Sequence, residues 1–198
     1  VARRRRSLLA LLVTLVVAAV LTGRAYDARP GSDRLLTLTL VIARVLVAGA
    51  VVSGGMPRPH RSEARPFVAP FLTGVALFAA FAVGAWVSRL FPPLHHAVVS
   101  ARLHGKGSGW MTAAAVTAAV AEEAFYRGAL FERVRLPIWT TSFLHALTTL
   151  PTGNVALAGA AFALGGVCGL SRRASGGWWS PAVVHVTWLL LCLWLLPA

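Results

Sequence analysis

The sequence predicts an all-α fold, a polytopic membrane helix bundle of about seven transmembrane helices, six to eight in all. Three observations predict it. Of 198 residues, 57% are hydrophobic and 13% charged, and the mean hydropathy of +0.71 lies well above that of soluble domains. The apolar residues gather in stretches of about the 20 residues that a bilayer-spanning helix needs. The charge is lopsided, with 19 Lys+Arg against 6 Asp+Glu and a net +13. A soluble nucleic-acid binder would need polar surface all round, which this chain lacks, so no nucleic-acid partner is expected. Disorder pairs high charge with low hydrophobicity and is excluded as well. The partner that remains is the lipid bilayer.

Seven segments follow in order: Ser7–Gly23, Leu35–Met56, Phe67–Ser88, Trp110–Phe131, Pro137–Leu150, Asn154–Ser171 and Trp178–Pro197. The first follows Arg3 to Arg6, like the n-region of a signal peptide. No A-x-A site follows it and six more apolar segments do, so it reads as an uncleaved span. The fifth is short, and either tilts little, continues through the Pro151 region or forms a re-entrant hairpin with its neighbour. Residues 1–109 are read as amino-terminal spans with a polar connection, and 110–198 as the core helices that carry the motifs. Gly165 and Gly169 form a small-xxx-small pair suited to close helix packing. Cys168 and Cys192 lie in apolar runs and read as small buried hydrophobes.

Loop charges set the expected orientation. With the amino terminus in the cytoplasm, the inner side holds Arg3 to Arg6, Arg58, Arg61, Arg65, Arg133, Arg135, Arg172 and Arg173. The outer side holds Arg24, Arg29, Arg34, Arg89, Arg102 and Lys106, and the excess inside favours this arrangement. Trp86, Trp110, Trp139, Trp178 and Trp179 fall near segment ends, where the headgroup layer suits an amphipathic ring. Arg89 to Gly109 is the longest polar connection. Its histidines, His95, His96 and His104, have no Cys, Asp or Glu beside them, so no metal is expected there. Gly105 to Gly109 lacks the spacing of a phosphate loop and reads as a flexible connection.

Four ionised side chains fall inside the spans: Arg44, Glu122, Glu123 and Arg127. Such groups are costly at membrane depth unless paired or hydrated, and they mark functional sites. On a helix, Glu123 and Arg127 form an i,i+4 pair in the favourable order and can neutralise each other. Glu122 points about 100° away and lacks that partner. A carboxylate so placed can act as a general base. The structural alternative is one buried ion-pair network with Arg44 as a second cation. His145 and His185 lie on two other spans and could converge with Glu122 in the bundle core.

These residues together resemble the CPBP family, the CAAX prenyl endopeptidases and the bacteriocin-processing or Abi-type membrane proteins of bacteria. The family pattern is EExxxR, FxxxH and HxxxN. Glu122, Glu123 and Arg127 match the first motif in full. Phe162 to Gly169, then Arg172, Arg173, Ser175, Gly176 and His185, resemble the family's last two helices. Two positions depart from the pattern. Against FALxHLP, the stretch His145 to Pro151 puts His145 at the phenylalanine position and Thr149 at the histidine position. Leu189 stands where HxxxN has asparagine, with Thr187 and Trp188 as the nearest side chains able to hydrogen-bond.

The resemblance implies an intramembrane endopeptidase in the plasma (inner) membrane of a bacterium, acting on a hydrophobic or prenylated peptide without a covalent intermediate. Glu122 would deprotonate a water, assisted by the His145 imidazole. His185 would polarise the carbonyl or stabilise its oxyanion. Glu123, Arg127 and Thr149 would be structural or orienting. Family members have been described both as metallopeptidases and as metal-free enzymes, and this donor set is poor for a three-ligand zinc site, so no bound metal or other cofactor is expected. Because of Thr149 and Leu189, the alternative is a catalytically degenerate member that binds a peptide or confers bacteriocin immunity. A proton carrier is disfavoured by the lack of repeated halves.

Overall fold

The computed structural model describes residues 2–54, 67–105 and 107–196, with the side chains of Arg3 to Arg5 left aside. Arg58, Arg61, Arg65 and Lys106, assigned above to loops, lie outside the described residues, as do Met56 and Pro197 at two expected segment ends. Eight α-helices and no strand occur among the described residues: α1 Ala2–Tyr26, α2 Asp33–Val52, α3 Val68–Ser88, α4 Pro92–Gly105, α5 Gly109–Glu123, α6 Pro137–Thr149, α7 Val155–Ser175 and α8 Trp179–Leu195. The protein is an all-α membrane helix bundle. By length and composition, α1 from Arg6, α2, α3 and α7 each suffice to cross a membrane, and α8 is apolar but shorter, at 17 residues.

Seven of the eight helices coincide with the expected segments. The eighth, α4, corrects the reading of 89–109 as a polar connection. Pro92 starts it, since proline costs nothing where a helix has no N–H partner. Its histidines and arginine mask its apolar residues in a hydropathy scan. Packing anchors it: Ser100 bonds the Tyr26 hydroxyl at 2.8 Å, and His104 stacks on Tyr26 with ring centroids 4.2 Å apart.

Local signals end and start the remaining helices. The Ser32 hydroxyl caps α2 through Leu35 N–H, and the Asn154 carboxamide caps α7 through Leu157 N–H at 2.9 Å. The short α6 does continue through Pro151, as one 3-10 turn over Leu150–Thr152. Gly176, at φ 71°, closes α7 in the left-handed conformation that glycine takes without strain. Leu136 takes a left-handed conformation too, with φ 49°, at the tight entry to α6 just before Pro137.

In lipid, close packing of small residues holds helices together, since hydrocarbon is no less apolar than leucine. The interior matches that rule. Ala43, Ala50, Ala121 and Ala129 are buried with Leu11, Leu46 and Phe125 in one core joining α1, α2 and α5. A second, smaller core of Leu164, Cys168 and Val184 joins α7 to α8. At Gly165 a β-carbon would lie 2.8 Å from the Ser142 backbone, so α6 and α7 approach there as only glycine allows. Trp86, Trp110, Trp139 and Trp179 are exposed near helix ends.

Candidate active site

The site begins where α5 changes pitch. After Glu123 the chain runs on without a break into seven residues of π-helix, Ala124–Leu130, all of them buried. Single π-turns inside α-helices recur at functional sites, because the extra residue per turn re-aims neighbouring side chains. Here the change falls between the acids of EExxxR and its arginine.

Glu123 and Arg127 are both fully buried and pair through Oε1 and Nη1 at 3.1 Å. Arg127 Nη2 donates to the Gly165 carbonyl at 2.8 Å. Arg172 Nε donates to the Arg127 carbonyl at 2.9 Å, while its Nη2 pairs with Glu132 at 2.9 Å. The π-turn is thus clamped to α7 from two levels. The expected second cation is corrected: Arg44 is exposed on α2, and among the described residues it forms no ion pair with an acid.

Histidines take that place. His185 Nδ1 donates to Glu123 Oε1 at 2.9 Å, which holds the ring and aims Nε2 at Glu122, 3.9 Å from its Oε2. His145 Nε2 lies 3.2 Å from the same oxygen. Its Nδ1 is buried without a hydrogen-bond partner, so the ring proton belongs on Nε2, where it can be donated to the carboxylate. The three candidates Glu122, His145 and His185, from α5, α6 and α8, therefore meet around one carboxylate oxygen. Glu122 thus finds across the bundle, in His145 and His185, the partners its own helix did not supply.

Sequence reasoning assigned no role to two residues that hold His145. The Tyr126 ring stacks on the imidazole, centroids 4.7 Å apart and 26° from parallel. The Tyr126 hydroxyl bonds Thr148 Oγ1 at 2.6 Å, and Thr148 Oγ1 in turn donates to the His145 carbonyl at 2.9 Å. Both lay in quoted motifs, and the signal was their polarity at membrane depth. Thr149 is buried and donates to the His145 carbonyl at 2.9 Å, one turn along the same face. Trp188 packs 5.9 Å from the His185 ring, with its indole nitrogen buried and unpartnered.

Accessibility separates the two acids. Glu122 is 26% exposed and Glu123 not at all. Glu122 borders a cavity of about 190 Å³ between α1, α2, α4, α5 and the start of α7, bounded among others by Tyr26, Ile42, Ala118 and His104. Among the described residues no three His, Cys, Asp or Glu side chains are placed to hold one metal ion.

Residues 105–191 match the family model described as type II CAAX prenyl endopeptidase Rce1-like. No curated protein and no solved structure matches the chain. The matched stretch runs from the end of α4 into α8 and contains Glu122, Glu123, Arg127, His145 and His185. Over residues 105–191 the chain is similar to the Rce1-like type II CAAX prenyl endopeptidases, which supports membership of the CPBP family.

Proposed function

We propose that the protein is an intramembrane endopeptidase that hydrolyses a peptide bond with a water activated by Glu122. One observation carries this reading: Glu122 borders a cavity, and its Oε2 lies 3.2 and 3.9 Å from the Nε2 atoms of His145 and His185. A general base must be reachable and held in position, and this carboxylate is both.

The reaction follows from those positions. A water beside Glu122 gives its proton to the carboxylate as its oxygen attacks the scissile carbonyl carbon. The C–O bond forms and the carbonyl electrons move onto oxygen. His185, in its doubly protonated form, donates from Nε2 to that oxyanion while its Nδ1–H stays on Glu123. A preorganised donor of this kind contributes about 3–4 kcal/mol in a dry site. Collapse breaks the C–N bond, and the proton held by Glu122 passes to the leaving amine. His145 donates to Glu122 Oε2 and holds it in place. Arg127 neutralises Glu123, so that the buried acid can orient His185 without a net charge.

With the amino terminus in the cytoplasm, the end of the bundle bearing Arg133, Arg135, Arg172 and Arg173 lies on the cytoplasmic side of a bacterial inner membrane. The substrate class is a hydrophobic or prenylated peptide. Cleavage of such peptides by purified protein in detergent, lost in Glu122→Ala while the unfolding midpoint is kept, is the expected result. Undiminished cleavage in that variant contradicts it.

Leu189, at the asparagine position of HxxxN, favours a second reading: a degenerate member that binds a peptide or confers bacteriocin immunity. That reading expects normal biological function with Glu122→Gln.

A further inference from the structure

The α1–α2 hairpin carries a second cavity, outside the matched residues 105–191 and not bordered by Glu122. It measures about 510 Å³ and is lined by Arg24, Asp33, Arg34, Thr37 and Leu38, within the roughly 300–1,000 Å³ of small-ligand pockets. Arg24 lies in the last turn of α1 and Asp33 in the first turn of α2. Both helices are long and apolar enough to cross a membrane, so the cavity sits at the end of two spans, at the level of the lipid headgroups.

Its charges are unpaired. Arg24, Asp33 and Arg34 are exposed, and among the described residues none of their side chains forms an ion pair or a hydrogen bond. Two cations and one acid thus share one space without neutralising each other. Thr37 adds a hydroxyl. Thr39 donates its own to the Leu35 carbonyl at 2.8 Å, and Thr14, Thr73 and Thr117 bond back along their helices in the same way. Thr37 makes no such bond among the described residues, which leaves its hydroxyl for an occupant.

Apolar side chains lead from the cavity along the two spans. Val20, Val17 and Val13 follow Arg24 down one face of α1 at helical spacing, all exposed. Leu38, Val41 and Val45 follow Arg34 along α2 in the same way, half-buried. Arg44 lies two turns beyond Thr37 on nearly the same face of α2, about 10 Å along it, exposed and without an ion pair among the described residues. A cation at that depth is costly unless it finds an acceptor. Helical side chains lean towards the amino-terminal end, which for α2 is the end that bears the cavity.

We infer that this cavity binds the headgroup of a phospholipid that carries a primary amine. The phosphodiester lies between Arg24 and Arg34, whose guanidinium forks match its oxygens, and the Thr37 hydroxyl donates to it. The ammonium group sits on Asp33. The acyl chains run along the Val20 and Val41 faces, and Arg44 donates to a glycerol ester carbonyl. Asp33 supplies the selectivity: a lipid without an amine leaves that carboxylate beside a phosphate with nothing between them, and a quaternary amine offers it no N–H. The site is independent of the chemistry at Glu122.

Native mass spectrometry of the detergent-purified full chain, titrated with one lipid at a time, tests the assignment. Phosphatidylethanolamine should bind at least about fivefold tighter than phosphatidylglycerol or phosphatidylcholine. Arg24→Gln and Arg34→Gln should each weaken it about fivefold, and the two together about 25-fold, the scale of one basic residue apiece at a lipid surface. Arg44→Leu should weaken it as well. Asp33→Asn should keep lipid binding and lose the preference for the amine. Glu122→Gln should bind as the wild type does, so failure of the hydrolytic reading leaves this one standing. Unfolding midpoints matching the wild type separate loss of the site from loss of the fold, and the order of the three lipids on the wild type needs no variant. Equal affinity for the three, or undiminished phosphatidylethanolamine binding in the Arg24→Gln/Arg34→Gln double variant, would overturn the inference. Displacement of the lipid by soluble phosphoethanolamine at equal concentration would assign the cavity to a soluble phosphate ester, and would overturn it too.

Discussion

Glu123 Oε1 accepts a hydrogen bond from His185 Nδ1 at 2.9 Å across 62 residues of sequence, in a carboxylate that also pairs with Arg127. The second acid of EExxxR is therefore the orienting partner of the histidine on α8, and the first acid is left free to face the cavity.

Replacing Glu123 tests that division of labour. Glu123→Ala removes the only ion-pair partner that the fully buried Arg127 has among the described residues, and should lower stability by about 3–5 kcal/mol. Glu123→Gln keeps the shape and one acceptor, and should fold while losing kcat with little change in KM, because it affects the donor that acts in the transition state. Unfolding in mixed micelles and steady-state cleavage measure the two effects.

The position of His145 makes a rescue experiment possible. It reaches Glu122 from the place where FALxHLP has phenylalanine, and Thr149 lies one turn along the same face. His145→Phe should reduce kcat about 10²-fold, the low end for a group assisting proton transfer. Adding Thr149→His to that variant should restore at least about a tenth of the lost rate. Activity of the double variant no better than that of His145→Phe would show that the two positions are not equivalent.

At Gly165 the close approach of α6 and α7 also carries the carbonyl that receives Arg127 Nη2. Gly165→Ala should push the helices apart and destabilise the bundle by about 1–3 kcal/mol, as overpacking does. The measurement is the unfolding free energy in detergent.

Leu136 should respond in the opposite sense. Its left-handed φ of 49° costs a non-glycine residue about 1–2 kcal/mol, and the side chain is exposed. Leu136→Gly should raise stability by about 0.5–1 kcal/mol after the entropy of glycine is offset.

Much of this was legible in the sequence. Each apolar segment became a helix, because a run of about 20 apolar residues in a bilayer has few other ways to satisfy its backbone. The EExxxR pair geometry followed from helical pitch alone, and the convergence of Glu122, His145 and His185 was open to expectation from their depth in the membrane. The helix α4 was hidden because His95, His96, Arg102 and His104 offset its apolar residues in any average. The π-turn was hidden too, since nothing in Ala124 to Leu130 marks a change of pitch. Arg44 shows the limit of counting charges: the sequence supplied two acids and two bases at membrane depth, but the exposed face of α2 holds one base away from the acids. The contacts from Tyr126 to Thr148 and from Glu123 to His185 join separate helices, and spacing along a chain does not encode them.

The central claim, that Glu122 takes the proton of the attacking water, is tested most directly by kcat for Glu122→Gln on a hydrophobic peptide, in protein whose unfolding midpoint matches the wild type. The substitution keeps volume and hydrogen-bonding shape and removes only the basic oxygen. A loss of about 10²–10⁴-fold is predicted, the range for a lost general base, and a rate within about tenfold of wild type would contradict the account.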